Sequence, residues 1–268
     1  MNITQHLQTS LVRAGILTAA AVTGLAGCGI AAGSDTDSGT DPNKDGWHES
    51  GSALEAGVSP VLFLGDSVAA GEAAALTQAV AASGAKFVDA TSTGGGNVVG
   101  PNAQAQWKKL PRTLAEADGG VVVYQLTTYD WGTAEQQRAA YERLASETAE
   151  AGADLVLVSM PPIKADAFYK PHMDELAGAA EVARDVAEDG EGIEFLDASE
   201  VWGQTYQRKH AGEIDRSKDG IHTCPQGAAR FADWLLGELA DLHPGFEPAD
   251  AEEWANTGWT SDKRFHGC

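Results

Sequence analysis

The chain has 268 residues with 39 Asp and Glu against 18 Lys and Arg, a formal net charge of −21 at pH 7. So acidic a surface repels nucleic-acid phosphates, which argues against a nucleic-acid partner, and it gives no reason to expect a polybasic contact to a membrane. The acidity itself needs no more explanation than solubility.

The first 27 residues read as an address. Arg13 is the one fixed charge before a small-residue apolar run from Ala14 to Gly27, too short for a comfortable membrane span. The run ends Leu25-Ala26-Gly27-Cys28, which resembles the lipobox of bacterial lipoproteins. That resemblance implies lipidation at Cys28 and a lipid-anchored protein on the outer face of the cell membrane. An ordinary secretory peptide with a chance Cys is the alternative. Either way the mature protein is exported into an oxidising compartment. Residues 28–58 are rich in Gly, Ser, Asp, Thr and Asn and read as a flexible tether. Within them Asp41-Pro42-Asn43-Lys44-Asp45-Gly46 has the look of a calcium loop, but Ser52 stands where an EF-hand needs Glu.

From residue 59 onward the chain alternates. Strands are expected at Val61–Leu64, Lys86–Ala90, Gly120–Leu126, Asp154–Ser159 and Gly192–Asp197. Helices are expected around 69–82, 103–117, 133–151, 172–189 and 225–240. Continuous apolar strands separated by helical segments argue for one α/β domain over 59–268, a parallel sheet covered on both faces. Cys224 and Cys268, the cysteines left beside Cys28, are expected to form a disulfide that ties the tail back beside residue 224.

Chemistry concentrates in two places. Gly65-Asp66-Ser67-Val68 ends the first strand and opens a helix, where a Ser hydroxyl is held rigidly and unpaired N–H groups face a developing negative charge. Simple capping of the helix by Asp66 and Ser67 explains the same residues. Near the other end, Asp219-Gly220-Ile221-His222 places an acceptor three residues before a His, the spacing that lets a carboxylate reach the ring's second nitrogen. Pro225 then starts the last helix. Histidines 48, 172, 210, 243 and 266 lack such a partner and are expected at the surface. No His-Glu-x-x-His, paired-Cys, Walker or Gly-x-Ser-x-Gly pattern is present, so neither metal nor cofactor is expected.

Together the two motifs resemble the SGNH (GDSL-type) esterase and acyltransferase family over about residues 60–240. The resemblance implies a three-layer α/β/α sandwich with a five-stranded parallel sheet, flavodoxin-like, and a monomer. It implies Ser67 as nucleophile, His222 as general base and then acid, and Asp219 as its orienting partner. The Ser67 N–H would donate to the oxyanion, with a second donor from Gly94–Gly96, taken as Gly95; a plain flexible turn is the alternative there. The family's Gly-x-Asn-Asp block is here Thr127-Thr128-Tyr129-Asp130, so Asp130 matches while Tyr129 stands for Asn. Tyr129 and Asp130 are grouped with the oxyanion and substrate-binding residues, and Trp131 is a candidate to line the acyl or sugar pocket. The implied activity is acyl-ester hydrolysis through an acyl-enzyme, on a small-molecule, lipid or envelope-glycan ester. Acyl transfer to a glycan, or a non-catalytic glycan-binding lipoprotein, are the alternatives.

Overall fold

In the computed structural model, which describes residues 58–268, the strands are short and almost wholly apolar. The segment 1–27, Cys28, the Asp41–Gly46 stretch and the tether as far as residue 57 lie outside the described residues. Val58 is already buried in the core.

In chain order the elements are β1 (Val61–Leu64), α1 (Ser67–Ala82), β2 (Phe87–Asp89), α2 (Ala103–Leu114), β3 (Val121–Gln125), α3 (Ala134–Glu150), β4 (Asp154–Val158), α4 (Met173–Asp189) and β5 (Ile193–Leu196). The short α5 (Ser199–Trp202), a hairpin of β6 (Lys209–His210) and β7 (Glu213–Ile214), α6 (Pro225–Leu242) and the short α7 (Ala251–Trp254) complete the domain. The five long-range strands pair in parallel in the order β2-β1-β3-β4-β5. The expected strands and helices all form, within three residues at each end.

Alternation along each strand builds two cores. Val61, Phe63, Val121, Val123, Val156 and Val158 face α1, α6 and α7. Leu62, Leu64, Val122, Tyr124, Leu155 and Leu157 face α2, α3 and α4. Side chains of a strand point alternately to opposite faces, so a strand buried on both must be apolar throughout, as β1 is. Helix α1 is buried on nearly every side, since it lies between the sheet and α6. Its alanines keep that approach close, and a side chain at Gly71 would run into Thr223. These layers bring the ends of β1 and β3 and the segment before α6 to one edge.

Two fixtures position that edge. The first is Asp130, fully buried in the turn after β3. Its carboxylate accepts from the Tyr124 hydroxyl at 2.8 and 2.9 Å, from Thr127 N–H at 3.1 Å and from the Tyr141 hydroxyl at 3.3 Å. Burial pushes its pKa from the ordinary 3.8 up to about 7, against the lowering effect of the Thr127 and Tyr124 hydrogen bonds. The second is a disulfide between Cys224 and Cys268, Cα atoms 5.8 Å apart, which begins where α6 begins and holds the tail. The tail is also pinned by Ser217 Oγ donating to the His266 carbonyl at 2.8 Å and Lys218 N–H to the Gly267 carbonyl at 2.9 Å.

Two outcomes are expected. Closing a loop over a separation of 44 residues restricts the unfolded chain by up to about 4 kcal/mol in the chain-entropy description. Cys268→Ser therefore lowers the urea midpoint measurably, and an unchanged midpoint would show that the bond contributes nothing. For Asp130, the folded pKa lies above the unfolded one, so between them the folded protein keeps a proton that the unfolded chain has lost. Wild type thus loses stability relative to Asp130→Asn as pH rises from about 4 to about 7, and the difference levels off above. Urea midpoints of both proteins across that range check it; a constant difference contradicts the shifted carboxyl.

Candidate active site

The strand-to-helix turn is built around Gly65. Its φ is +155°, and a Cβ there would lie 2.5 Å from the Ala69 Cβ, so only glycine lets β1 pass directly into α1. Asp66, 1% exposed, is the helix N-cap: Oδ1 accepts the Val68 N–H at 2.9 Å. Its Oδ2 accepts both the N–H and the hydroxyl of Thr128, at 2.8 and 2.6 Å. The two explanations for this stretch divide between adjacent residues. Asp66 caps, and Ser67, the first helical residue, presents its hydroxyl outward; its N–H belongs to the first turn, which no helix can satisfy from within.

The His loop runs from Asp215 to Cys224 and is closed by Cys224 N–H to the Asp215 carbonyl at 2.7 Å and Ser217 N–H to the His222 carbonyl at 2.8 Å. Asp219 Oδ1 accepts from the N–H groups of Ile221 and His222 at 2.8 and 3.1 Å, which aims Oδ2 at His222 Nδ1, 2.8 Å away. His222 Nε2 lies 2.9 Å from Ser67 Oγ. Burial pushes the Asp219 carboxyl up, but the hydrogen bonds from His222 and the two backbone N–H groups outweigh it and hold it below the ordinary carboxylate value. An ionised Asp219 accepts the Nδ1 proton, leaves the Nε2 lone pair toward the Ser67 hydroxyl, and stabilises the imidazolium once the proton moves.

A buried polar layer supports the loop. The Arg216 guanidinium donates to the Pro162 carbonyl at 3.0 Å and to the Ile221 carbonyl, tying the loop after β4 to the residue before His222. Lys164 N–H adds a bond to the Gly220 carbonyl at 2.8 Å. Within electrostatic reach of Arg216, Glu72 on α1 is fully buried and accepts from Gln125 Nε2 at 2.5 Å. Desolvation drives its pKa well above the ordinary value, against the Gln125 hydrogen bond and the Arg216 charge.

On the other side of Ser67, the Gly65 carbonyl accepts from Ser92 N–H at 2.9 Å. Gly96 packs on that carbonyl so closely that a Cβ would lie 2.3 Å from its oxygen, and its φ is +92°. The contact that seats the glycine loop on the nucleophile turn is therefore made by Gly96; a Cβ at Gly95 would meet only Asn97 and Asn102, at ordinary contact distances of 3.6 and 3.7 Å. Asn97 is buried, its side-chain nitrogen donating to the Val99 carbonyl at 2.6 Å and to that of Pro101.

Tyr129 enters an aromatic cluster, with ring centroids 5.5 Å from Trp131 and 6.2 Å from both Phe168 and Tyr169. His172 stacks flat on Trp131 at 3.6 Å. Phe168 is 53% exposed, the one large apolar side chain so exposed among the described residues. The Tyr169 hydroxyl lies 3.4 Å from Thr128 Oγ1, so this face adjoins the residue that grips Asp66.

The structure thus brings Ser67, His222 and Asp219 together. Two expectations are corrected. Asp130, grouped with the substrate-binding residues, lies wholly beneath the site, where its carboxylate is taken by Tyr124, Tyr141 and Thr127. His243, expected at the surface, is 5% exposed, because its N–H continues α6 by bonding the Leu239 carbonyl and it packs at the helix end. Sequence reasoning missed Thr128, Arg216 and Glu72: Asp66, Pro162 and Gln125, which they bond, are remote in sequence, and no local pattern marks them.

No family model matches the chain, and no curated protein matches it. Solved structures do. The chain is similar to a putative acylhydrolase from Bacteroides fragilis, with 12% identity, 71% of this chain and 93% of that one covered, and a TM-score of 0.51. It is similar to a catalytic mutant of an acetylxylan esterase from Geobacillus stearothermophilus, with 15% identity, 71% and 96% covered, and a TM-score of 0.50. A third match is the C-terminal catalytic domain of a peptidoglycan O-acetyltransferase from Streptococcus pneumoniae, with 17% identity, 72% and 98% covered, and a TM-score of 0.45. At these identities the likeness is one of fold: a five-stranded parallel sheet covered by helices on both faces.

Proposed function

We propose that this protein is a serine acyl-ester hydrolase that works through an acyl-enzyme. The observation that carries the reading is the Ser67–His222–Asp219 chain, 2.9 Å from Oγ to Nε2 and 2.8 Å from Nδ1 to Oδ2. Ser67 Oγ attacks the ester carbonyl while its proton passes to His222 Nε2. The oxyanion forms against the Ser67 N–H at the helix N-terminus and the Gly94–Gly96 loop. Collapse breaks the carbonyl–oxygen bond, and the leaving alkoxide takes the proton from Nε2. Water then attacks the acyl-Ser67 carbonyl, giving its proton to Nε2, and Ser67 recovers that proton as the acid departs.

The exposed aromatic face supports an acylated carbohydrate as the substrate. The C–H face of a sugar ring packs on Trp131 and Phe168 while its hydroxyls stay in water. The fold shared with an acylhydrolase and an acetylxylan esterase agrees with this chemistry. The same face offers a seat to an acceptor sugar, which favours a second reading in which a sugar hydroxyl replaces water in the last step. The Leu25-Ala26-Gly27-Cys28 motif supports lipid anchoring outside the cell and, with it, a substrate in the envelope.

Incubation with an activated ester is expected to add one acyl group, located at Ser67 by intact mass and peptide mapping. Ser67→Ala and His222→Ala each lower kcat by about 10⁴-fold or more, and the double variant is little worse, since the pair acts as one unit. Near wild-type activity in Ser67→Ala would end the serine mechanism. Adding a sugar acceptor separates the two readings, because transfer yields an acylated glycan and hydrolysis a free acid.

Tyr129→Phe is expected to change the rate on a small ester by less than about tenfold, as befits a pocket wall; a loss of about 10²-fold at unchanged KM would make its hydroxyl an oxyanion donor. Trp131→Ala is expected to raise KM on an acylated oligosaccharide by about tenfold while leaving a small aryl ester unaffected. Equal effects on both substrates would contradict a sugar seat there.

A further inference from the structure

We propose that Asp219, His222 and the tail residue His266 form a binding site for Zn²⁺ whose occupancy switches the enzyme off. The regulation concerns the triad, so it rests on the reading of His222 as the base. Each of the three residues offers a ligand atom, and these atoms lie within 4.8 Å of one another. The two imidazole rings have centroids 5.3 Å apart.

His266 plays no part in the hydrolysis described above, yet its placement is elaborate. Its backbone carbonyl accepts from Ser217 Oγ, the next carbonyl accepts from Lys218 N–H, and two residues further the chain is bonded to Cys224. The ring is oriented as well. Nδ1 lies 3.0 Å from the Arg264 carbonyl, which can only accept, so Nδ1 carries the proton and Nε2 presents its lone pair. A carbonyl that fixes the tautomer in this way is the usual outer support of a metal-ligating histidine. Arg264 is itself held by Asp262 and Asp89 at 2.9–3.1 Å.

Two imidazoles and one carboxylate, with a fourth position left to water, are a ligand set suited to zinc. Zinc–ligand bonds of about 2.0–2.2 Å in a tetrahedron place ligand atoms roughly 3.4 Å apart. Asp219 and His266 are exposed, and the proposed site requires their ligand atoms to move inward by roughly an ångström. The net charge of −21 raises the local concentration of any divalent cation.

Occupancy disables the base by either nitrogen. Bonding to His222 Nδ1 displaces the proton shared with Asp219 into solvent and takes the carboxylate away from its orienting role. Bonding to Nε2 occupies the lone pair that must receive the Ser67 proton. The metal enters as a competitor for the base, and no electron transfer is involved.

The test uses the full chain, ZnCl₂ as the probe and His266→Ala, a change outside the hydrolytic triad. Zinc is expected to inhibit wild-type hydrolysis of a small aryl ester, reversibly on adding a chelator. In His266→Ala the zinc-free rate stays at the wild-type level, while the half-inhibitory zinc concentration rises by at least about tenfold, the smallest loss seen even for an outer-shell partner. Isothermal titration, which needs no turnover, is expected to give one zinc per chain in wild type and in Ser67→Ala, and to lose that binding in His266→Ala. It therefore decides the metal site even if the protein proves not to hydrolyse esters. Equal zinc binding by wild type and His266→Ala, as adsorption to the acidic surface would give, overturns the proposal.

Discussion

One buried carboxylate holds the catalytic edge together. Asp66 has the Val68 N–H on one oxygen and the Thr128 N–H and hydroxyl on the other, so the start of α1 and the turn after β3 share a single anchor. At 1% exposure water has no part in satisfying it, and removing it would strand three donors at once. The position of the aromatic face beside Thr128 follows from this anchorage. The conformational freedom that Ser67 would otherwise have is spent on folding rather than on catalysis.

Beneath the histidine the design is different. Arg216 is fully buried and bonds carbonyls, one before the loop and one inside it, while the nearby Glu72 carries a strongly raised pKa. The hydrogen bonds of the guanidinium go to backbone carbonyls, those of Pro162 and Ile221. That arrangement fixes the path of the main chain at Ile221 and so the direction of the next side chain, His222. Removing one partner of such a layer is far more damaging than replacing all of it with apolar groups.

Much of this was legible in the residues. Val61–Leu64 is apolar at every position because both sheet faces are covered, and that alone separates it from the half-exposed strand of an antiparallel sheet. The acid and base of the triad lie within one turn of chain, Asp219 and His222, so their pairing needs no knowledge of the fold. The rest depends on packing that local pattern does not encode. Ser199–Trp202 and Ala251–Trp254 are four-residue helices below any length that periodicity reveals, held by the burial of Trp202 and Trp254. Asp215, next to Arg216 in the chain, bonds the remote Arg230. Asp130 keeps its place in a family block, but only the surrounding Tyr124 and Tyr141 reveal that it is a keystone and not a ligand.

The hydroxyl and the imidazole that must meet stand 155 residues apart in the chain, and helix α6 packed on α1 is what joins them. A nascent polypeptide therefore carries the serine hydroxyl without its imidazole partner. On the proposed reading, reactivity toward esters appears only when the last layer of the sandwich docks.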